Sequence, residues 1–229
     1  MIASTYSSGT RTWACESRRL TEPIRALSPP IGPASNERRS SAETPCFFPR
    51  LTNSRACAPS TAGLAAGAAA GASGASRLVR ELRPARVLFL GTCGAYDDRL
   101  SVGDLVSASS ALATSVEEAE GRAYRPEAEA RRWSATWQLP LPAHDVAVPP
   151  AITITAEGAR VLARLAPLEH LELTGVFAAC TAAAVPVAAG LGVANRVGPG
   201  AHAEWKREHA RVSAALVDAL RGTVLAKGA

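Results

Sequence analysis

From Met1 to Ser60 the apolar residues keep neither a period of 2 nor one of 3.6 for longer than a turn or two, and ten Ser and seven Pro are scattered among them. This stretch is predicted to be disordered. The pattern changes at residues 61–76, TAGLAAGAAAGASGAS, whose small residues suit a flexible linker, the plainer reading, or a helix that another element approaches closely. Leu78, Val79 and Leu82 then share one helical face before Pro84, which extends the second reading to a helix over Ala65 to Leu82 packed on a sheet. Arg86 to Leu90 (RVLFL) predicts a buried parallel strand that leaves the sheet through a turn at Gly91-Thr92-Cys93-Gly94. Ser101 to Ala113 predicts a second strand, with small residues, and residues 117–150, polar and Pro-rich around Trp133 and Trp137, read as an excursion outside the core. Ile152 to Ile154 predicts a short strand, and Thr155 caps a helix from Ala156 to Leu165 with Glu157 in its first turn. Glu172 to Ala184, small and apolar on nearly every side, predicts a helix buried against a sheet and ended by Pro186, and Val187 to Ala194 a further buried strand. His202 to Leu225 predicts an amphipathic helix with Val212, Leu216, Val217 and Leu220 turned inward. Strands alternating with helices make an α/β fold.

Length and charge narrow the picture. The chain has 229 residues, which fits one large domain or one domain with a tail. With 47% hydrophobic and 20% charged residues the composition is that of a soluble globular protein, and no apolar stretch suggests a membrane span. The net charge of +5 invites a nucleic-acid reading until it is located. Residues 1–60 hold eight Arg and four acids, whereas residues 61–229 hold 17 basic and 16 acidic side chains, so the folded part is nearly neutral and nucleic-acid binding is not expected. Met1 to Gly9 is too polar for a signal peptide, while the Arg- and Ser-rich, acid-poor composition after it is compatible with a transit peptide that lacks a clean amphipathic helix. The five cysteines, Cys15, Cys46, Cys57, Cys93 and Cys180, show no short paired spacing, so a reducing cytoplasm is expected.

Three segments fall at strand ends or helix starts, where open α/β sheets bind ligands: Gly91 to Ala95, Glu169 to Gly175, and Asn195 to Gly200. Singly, each has a plain structural explanation as a tight turn, as charges at a helix N-terminus, or as a turn former.

In order and spacing they resemble the nucleoside phosphorylase superfamily, which includes purine nucleoside phosphorylases, methylthioadenosine/S-adenosylhomocysteine nucleosidases and futalosine hydrolases. The motifs are the strand running into Gly91-Thr92-Cys93-Gly94, the step Val102-Gly103-Asp104-Leu105-Val106, the Glu169-His170-Leu171-Glu172 segment before a small-residue helix, and the strand ending Ala194-Asn195. The wording Asn195-Arg196-Val197-Gly198-Pro199 looks most like futalosine hydrolase-type members. The resemblance covers about residues 67–225. It implies a three-layer α/β sandwich with a central mixed, largely parallel sheet between helices, a purine nucleoside as substrate, a homo-oligomer, and no cofactor, phosphate being a co-substrate if the chain is a phosphorylase.

It also implies roles. N-glycosidic cleavage passes through an oxocarbenium-like sugar, so the site must hold the ribose, stabilise the leaving base and deliver a nucleophile. Glu172 matches the ribose-binding Glu, Leu171 stands where a Met usually packs on sugar or base, and Thr92 matches a Ser/Thr that contacts phosphate in phosphorylases. Cys93, Gly94 and Ala95 would flank the base, and Glu169 joins the substrate-binding set. Asn195 takes the catalytic position facing purine N7, where many members carry Asp. An amide donates a hydrogen bond but gives up no proton as a carboxylic acid does, which favours a 6-oxopurine leaving group over an adenine-type acid mechanism.

The first strand of the family and its Gly or Glu loop are not readable in residues 1–60, so the domain is expected to be 61–229, incomplete at its N-terminus, with uncovered sheet edges and either an active or a catalytically silent site. Other signals carry less. Gly190-Leu191-Gly192 lacks the third glycine of a dinucleotide fingerprint, His202-Ala203-Glu204 has no Pro-Cys-x-x-Cys after it, and His202 and His209 lack a third metal ligand.

Overall fold

The computed structural model describes residues 2–5, 11–14, 67–127 and 129–225. All of them belong to one unit, residues 1–18 with 55–229, and the remaining unit, residues 19–54, lies outside the described residues. The strands are β1 (Ile2–Thr5), β2 (Arg11–Ala14), β3 (Val87–Ala95), β4 (Leu105–Ala113), β5 (Arg132–Ser134), β6 (Ala143–Val148), β7 (Leu168–Glu169) and β8 (Val187–Arg196). The helices are α1 (Ala68–Leu82), α2 (Val116–Ala119), α3 (Ala156–Leu162), α4 (Leu173–Ala182) and α5 (Ala201–Leu220), the last followed by a π-helical turn at Arg221–Leu225.

The mixed sheet closes on itself. β3 pairs in parallel with β8, β8 antiparallel with β4, β4 in parallel with β6, β6 in parallel with β7, and β7 antiparallel with β3. Two register shifts let strands change partner within this ring: one between Cys93 and Gly94, where Ala194 of β8 is the extra residue, and one between Ala108 and Ser110 of β4. Asp145 secures the second, accepting from Ser109 and Ser110 at 2.6 and 2.7 Å and from Arg132 Nη1 at 2.6 Å. Burial pushes the Asp145 carboxyl up, but those hydroxyl and guanidinium donors together hold it below its ordinary value.

Helices flank the sheet as the α/β reading predicts. α1 and α4 cover a core containing Phe89, Leu173, Phe177 and Leu191. Each such fully buried side chain contributes roughly 1.5–3 kcal/mol. Their mutual approach explains the small residues: a Cβ on Gly175 would stand 1.8 Å from the Ala68 carbonyl oxygen, so only glycine lets the backbone of α1 lie there. Val212, Leu216 and Leu220 of α5 are buried, as its periodicity predicts, and Leu216 and Leu220 meet Leu88, Leu90 and Ala188. Gly190 and Gly192 form the floor under α5, since a Cβ on Gly192 would stand 2.2 Å from Val212 Cγ1. In the Val102 to Val106 step, Gly103 has φ of 106° and Asp104 Oδ2 accepts from the Ser101 N–H at 2.7 Å, closing the turn into β4.

Several expectations need correction. Within residues 1–60, expected to be disordered, β1 and β2 form an antiparallel hairpin, and β1 pairs in parallel with Leu88 to Gly91 of β3. Main-chain hydrogen bonds to a waiting strand edge require no apolar period, and the edge expected to be uncovered is covered there. The rest of that stretch, and residues 61–66 of the expected linker, lie outside the described residues, whereas the remainder of the linker from Ala68 is helical. Gly91 to Gly94 is no turn, because β3 continues through it to Ala95. The excursion at 117–150 contains β6, whose Val146, Ala147 and Val148 are buried between β4 and β7. Ile152 to Ile154 forms no strand, and both isoleucines are exposed.

Candidate functional site

The ends of three strands meet at Gly94. On one side it pairs with Glu169 of β7 and on the other with Asn195 of β8. The bulge at Ala194 re-aims Asn195, whose Nδ2 lies 3.0 Å from the place a Gly94 Cβ would take. That Nδ2 donates to the Arg196 carbonyl oxygen at 3.0 Å, which uses one of its two hydrogens and leaves the second, with Oδ1, for a ligand. The strand end is tied down by Arg196, whose N–H donates to Glu204 Oε2 and whose Nη2 donates to Asp98 Oδ1, both at 2.6 Å. Glu204 occupies the first turn of α5, where the helix dipole favours a carboxylate.

Beyond Glu169 the chain turns sharply into α4. His170 Nδ1 accepts from the Glu172 N–H at 3.1 Å and lies 3.3 Å from Glu172 Oε2, while the imidazole meets Phe89 edge-on with ring centroids 5.2 Å apart. His170 and Glu172 are both buried, and Leu171 between them is half-buried. Glu172 is the N-cap residue of α4, and Gly71 of α1 presses on its backbone.

Glu169 is held inside the fold. Its Oε2 accepts from the Tyr96 hydroxyl at 2.8 Å and its Oε1 from the Thr153 N–H at 3.2 Å. Burial raises its carboxyl above the ordinary value, opposed by the hydrogen bonds from Thr153 and Tyr96, and burial likewise raises the Tyr96 phenol. Glu169 therefore joins the end of β3 to the segment that carries the exposed Ile152 and Ile154. Cys93 is buried and burial pushes its thiol far up, so it is no nucleophile at neutral pH. Ala95, also buried, pairs with Leu168 and Arg196. Thr92 accepts at Oγ1 from Trp205 Nε1 of α5 at 3.1 Å.

Of the residues singled out in the sequence, Gly94, Asn195 and Glu169 thus lie in one row, Glu172 follows three positions later and is linked through His170, and Thr92 is tied to α5. Tyr96, Thr153 and Trp205 were not singled out: Tyr96 directly follows the glycine segment, but nothing in local spacing links it to Glu169, 73 positions away. Among the described residues no three His, Cys, Asp or Glu side chains gather as metal ligands would, and no helix is long and apolar enough to cross a membrane.

Comparison with solved structures finds this fold in a futalosine hydrolase mutant of Helicobacter pylori strain 26695, with a TM-score of 0.61 and 15% identity over 73% of this chain and 82% of that one. It is also found in the 5'-methylthioadenosine/S-adenosylhomocysteine nucleosidase of Helicobacter pylori with butyl-thio-DADMe-Immucillin-A, with a TM-score of 0.63 and 14% identity over 73% of this chain and 80% of that one. The corresponding nucleosidase of Colwellia psychrerythraea, in complex with adenine, gives a TM-score of 0.58 and 14% identity over 70% and 76%. Comparison with curated protein sequences finds no match. The sequence profile of the phosphorylase superfamily matches residues 33–226, reaching further toward the N-terminus than the motifs do. With a match over most of its length and the fold just described, the chain belongs to the phosphorylase superfamily.

Proposed function

We propose that the chain cleaves the N-glycosidic bond of a purine nucleoside, and that the reaction is hydrolysis of a 6-oxopurine nucleoside such as futalosine or inosine. The observation that carries this reading is the row Glu169–Gly94–Asn195 with buried Glu172 three positions on, because it gathers a carboxylate and an amide at one strand end. Family membership supports the bond cleaved, and the nucleosidase structures named above were obtained with an immucillin and with adenine.

In this reading the Glu172 carboxylate accepts from the ribose hydroxyls and favours positive charge developing on the sugar. Asn195 donates its remaining N–H to N7 or O6 of the departing base. Water adds to C1', the C1'–N9 bond breaks, and the water's protons are shared between the new sugar hydroxyl and the released base. No cofactor takes part. If phosphate replaces water, it bonds to C1' as the C1'–N9 bond breaks, and the products are the 1-phosphate of the substrate's sugar and the free base. The working enzyme is a cytoplasmic homo-oligomer in this proposal.

The test is release of free base from inosine, adenosine, methylthioadenosine and futalosine by the purified full-length chain, each with and without phosphate. Phosphate-independent release from the 6-oxopurine nucleosides supports the proposal. Release that requires phosphate makes the chain a phosphorylase, and no release from a folded sample makes it a catalytically silent relative.

A further inference from the structure

We infer that Trp205 is a positioning residue of the site, acting through Thr92 so that the threonine hydroxyl hydrogen is offered to a ligand oxygen. This rests on the nucleoside-cleaving reading above. Thr92 lies on β3 two residues before Gly94, and its neighbours in alternation, Leu88 and Leu90, pack against Leu216 and Leu220 of α5. Trp205 Nε1 donates to Thr92 Oγ1 at 3.1 Å across 113 positions of sequence.

Indole nitrogen is a donor only, whereas a threonine hydroxyl has one hydrogen and two lone pairs. The Trp205 bond takes up one lone pair and orients the hydroxyl. What remains for a ligand is the hydrogen and one lone pair, and the hydrogen suits an oxygen of the ribose or of the attacking water or phosphate. The indole is itself held: the His209 ring stacks on it at 4.2 Å between centroids, and the His202 ring lies nearly parallel at 6.0 Å and 6°. Burial holds the His209 imidazole below its ordinary value, which favours its neutral form. A side chain fixed from α5 thereby sets the rotor of one on β3, and a free rotor would weaken the bond to the ligand.

The experiment uses the full chain with W205F, which keeps an aromatic ring but loses the N–H, T92V, T92S and the W205F/T92V double variant. Base release reads kcat/KM, and the ¹⁵N-labelled indole resonance of Trp205, identified by its loss in W205F, reads the bond without catalysis. W205F is expected to lower kcat/KM about fivefold, the effect of losing one neutral hydrogen bond. The double variant is expected to be no worse than T92V, the mark of two residues acting as one unit. The Trp205 resonance is expected to move in T92V but stay in T92S, and to shift when inosine is added. Additive losses in the double variant, or an indole resonance indifferent to T92V or to inosine, overturn the inference. A wild-type chain that releases no base overturns the cleavage reading alone, and the indole response to inosine then decides the role of Trp205 by itself.

Discussion

A Cβ on Gly71 of α1 would stand 2.5 Å from the carbonyl oxygen of Glu172 and 3.1 Å from its Cβ. The nearest atom is backbone at the start of α4, which cannot swing aside as a flexible side chain would. Gly71→Ala must therefore push the two helices apart and carry Glu172 with them. The expected result is a loss of about 1–3 kcal/mol in stability, as for other overpacked cores. Base release should fall along with it, because Glu172 is displaced. Thermal melting and the nucleoside assay check both, and an unaltered melting temperature would mean that the helices are not pressed together here.

Glu172→Ala tests the site assignment directly. Loss of a carboxylate that stabilises charge on the sugar should lower turnover by well over tenfold, since such interactions are worth a few kcal/mol in the transition state. The assay is read beside circular dichroism. Undiminished turnover in a folded variant would remove Glu172 from the site.

Gly94→Ala probes Asn195 without altering it. The added carbon would meet Val197 Cγ2 at 2.6 Å and Asn195 Nδ2 at 3.0 Å, both on side chains that can shift, so the fold should survive. Displacing the amide by even part of an ångström should lower kcat by on the order of tenfold or more while KM changes little. Equal effects on both, or none, would separate Asn195 from the chemical step.

Glu169 ties stability to pH. Burial raises its folded value above the ordinary 4.5, against the bonds from Thr153 and Tyr96. Between the unfolded and the raised folded value the folded chain holds a proton that the unfolded chain has released, so this contribution is whole below the window and is lost as pH rises through it. Glu169→Gln keeps an acceptor for Tyr96 or Thr153 but has no proton to lose. Its melting temperature should fall less with rising pH above about 4.5 than that of the parent chain. Parallel profiles for the two would show that Glu169 does not titrate differently on folding.

Local pattern alone located much of this fold. The apolar runs around Leu88 and Ala189, the Thr155 cap, which accepts from the Gly158 N–H at 3.0 Å, and the inward face of α5 all follow from spacings within a few residues, and the structure has them. The motifs around Thr92, Glu172 and Asn195 likewise pointed to the family whose profile matches residues 33–226, although identity with the solved structures of this fold is only near 15%.

Tertiary structure decided what depends on distant partners. Six residues of β6, diluted among polar and proline neighbours, have too little pattern to announce a strand, yet β4 and β7 on either side make it part of the closed ring. The glycines of segment 91–94 looked like a turn because glycine serves turns and close approaches equally, and only the packing of Val197 and Asn195 on Gly94 shows which applies. The acidic pair Glu169 and Glu172 looked alike in sequence. Tyr96 and Thr153, the partners of Glu169, arrive from segments brought together by folding, whereas His170 lies two positions from Glu172, and hydrogen bonds between distant segments leave no trace in the spacing of residues along the chain.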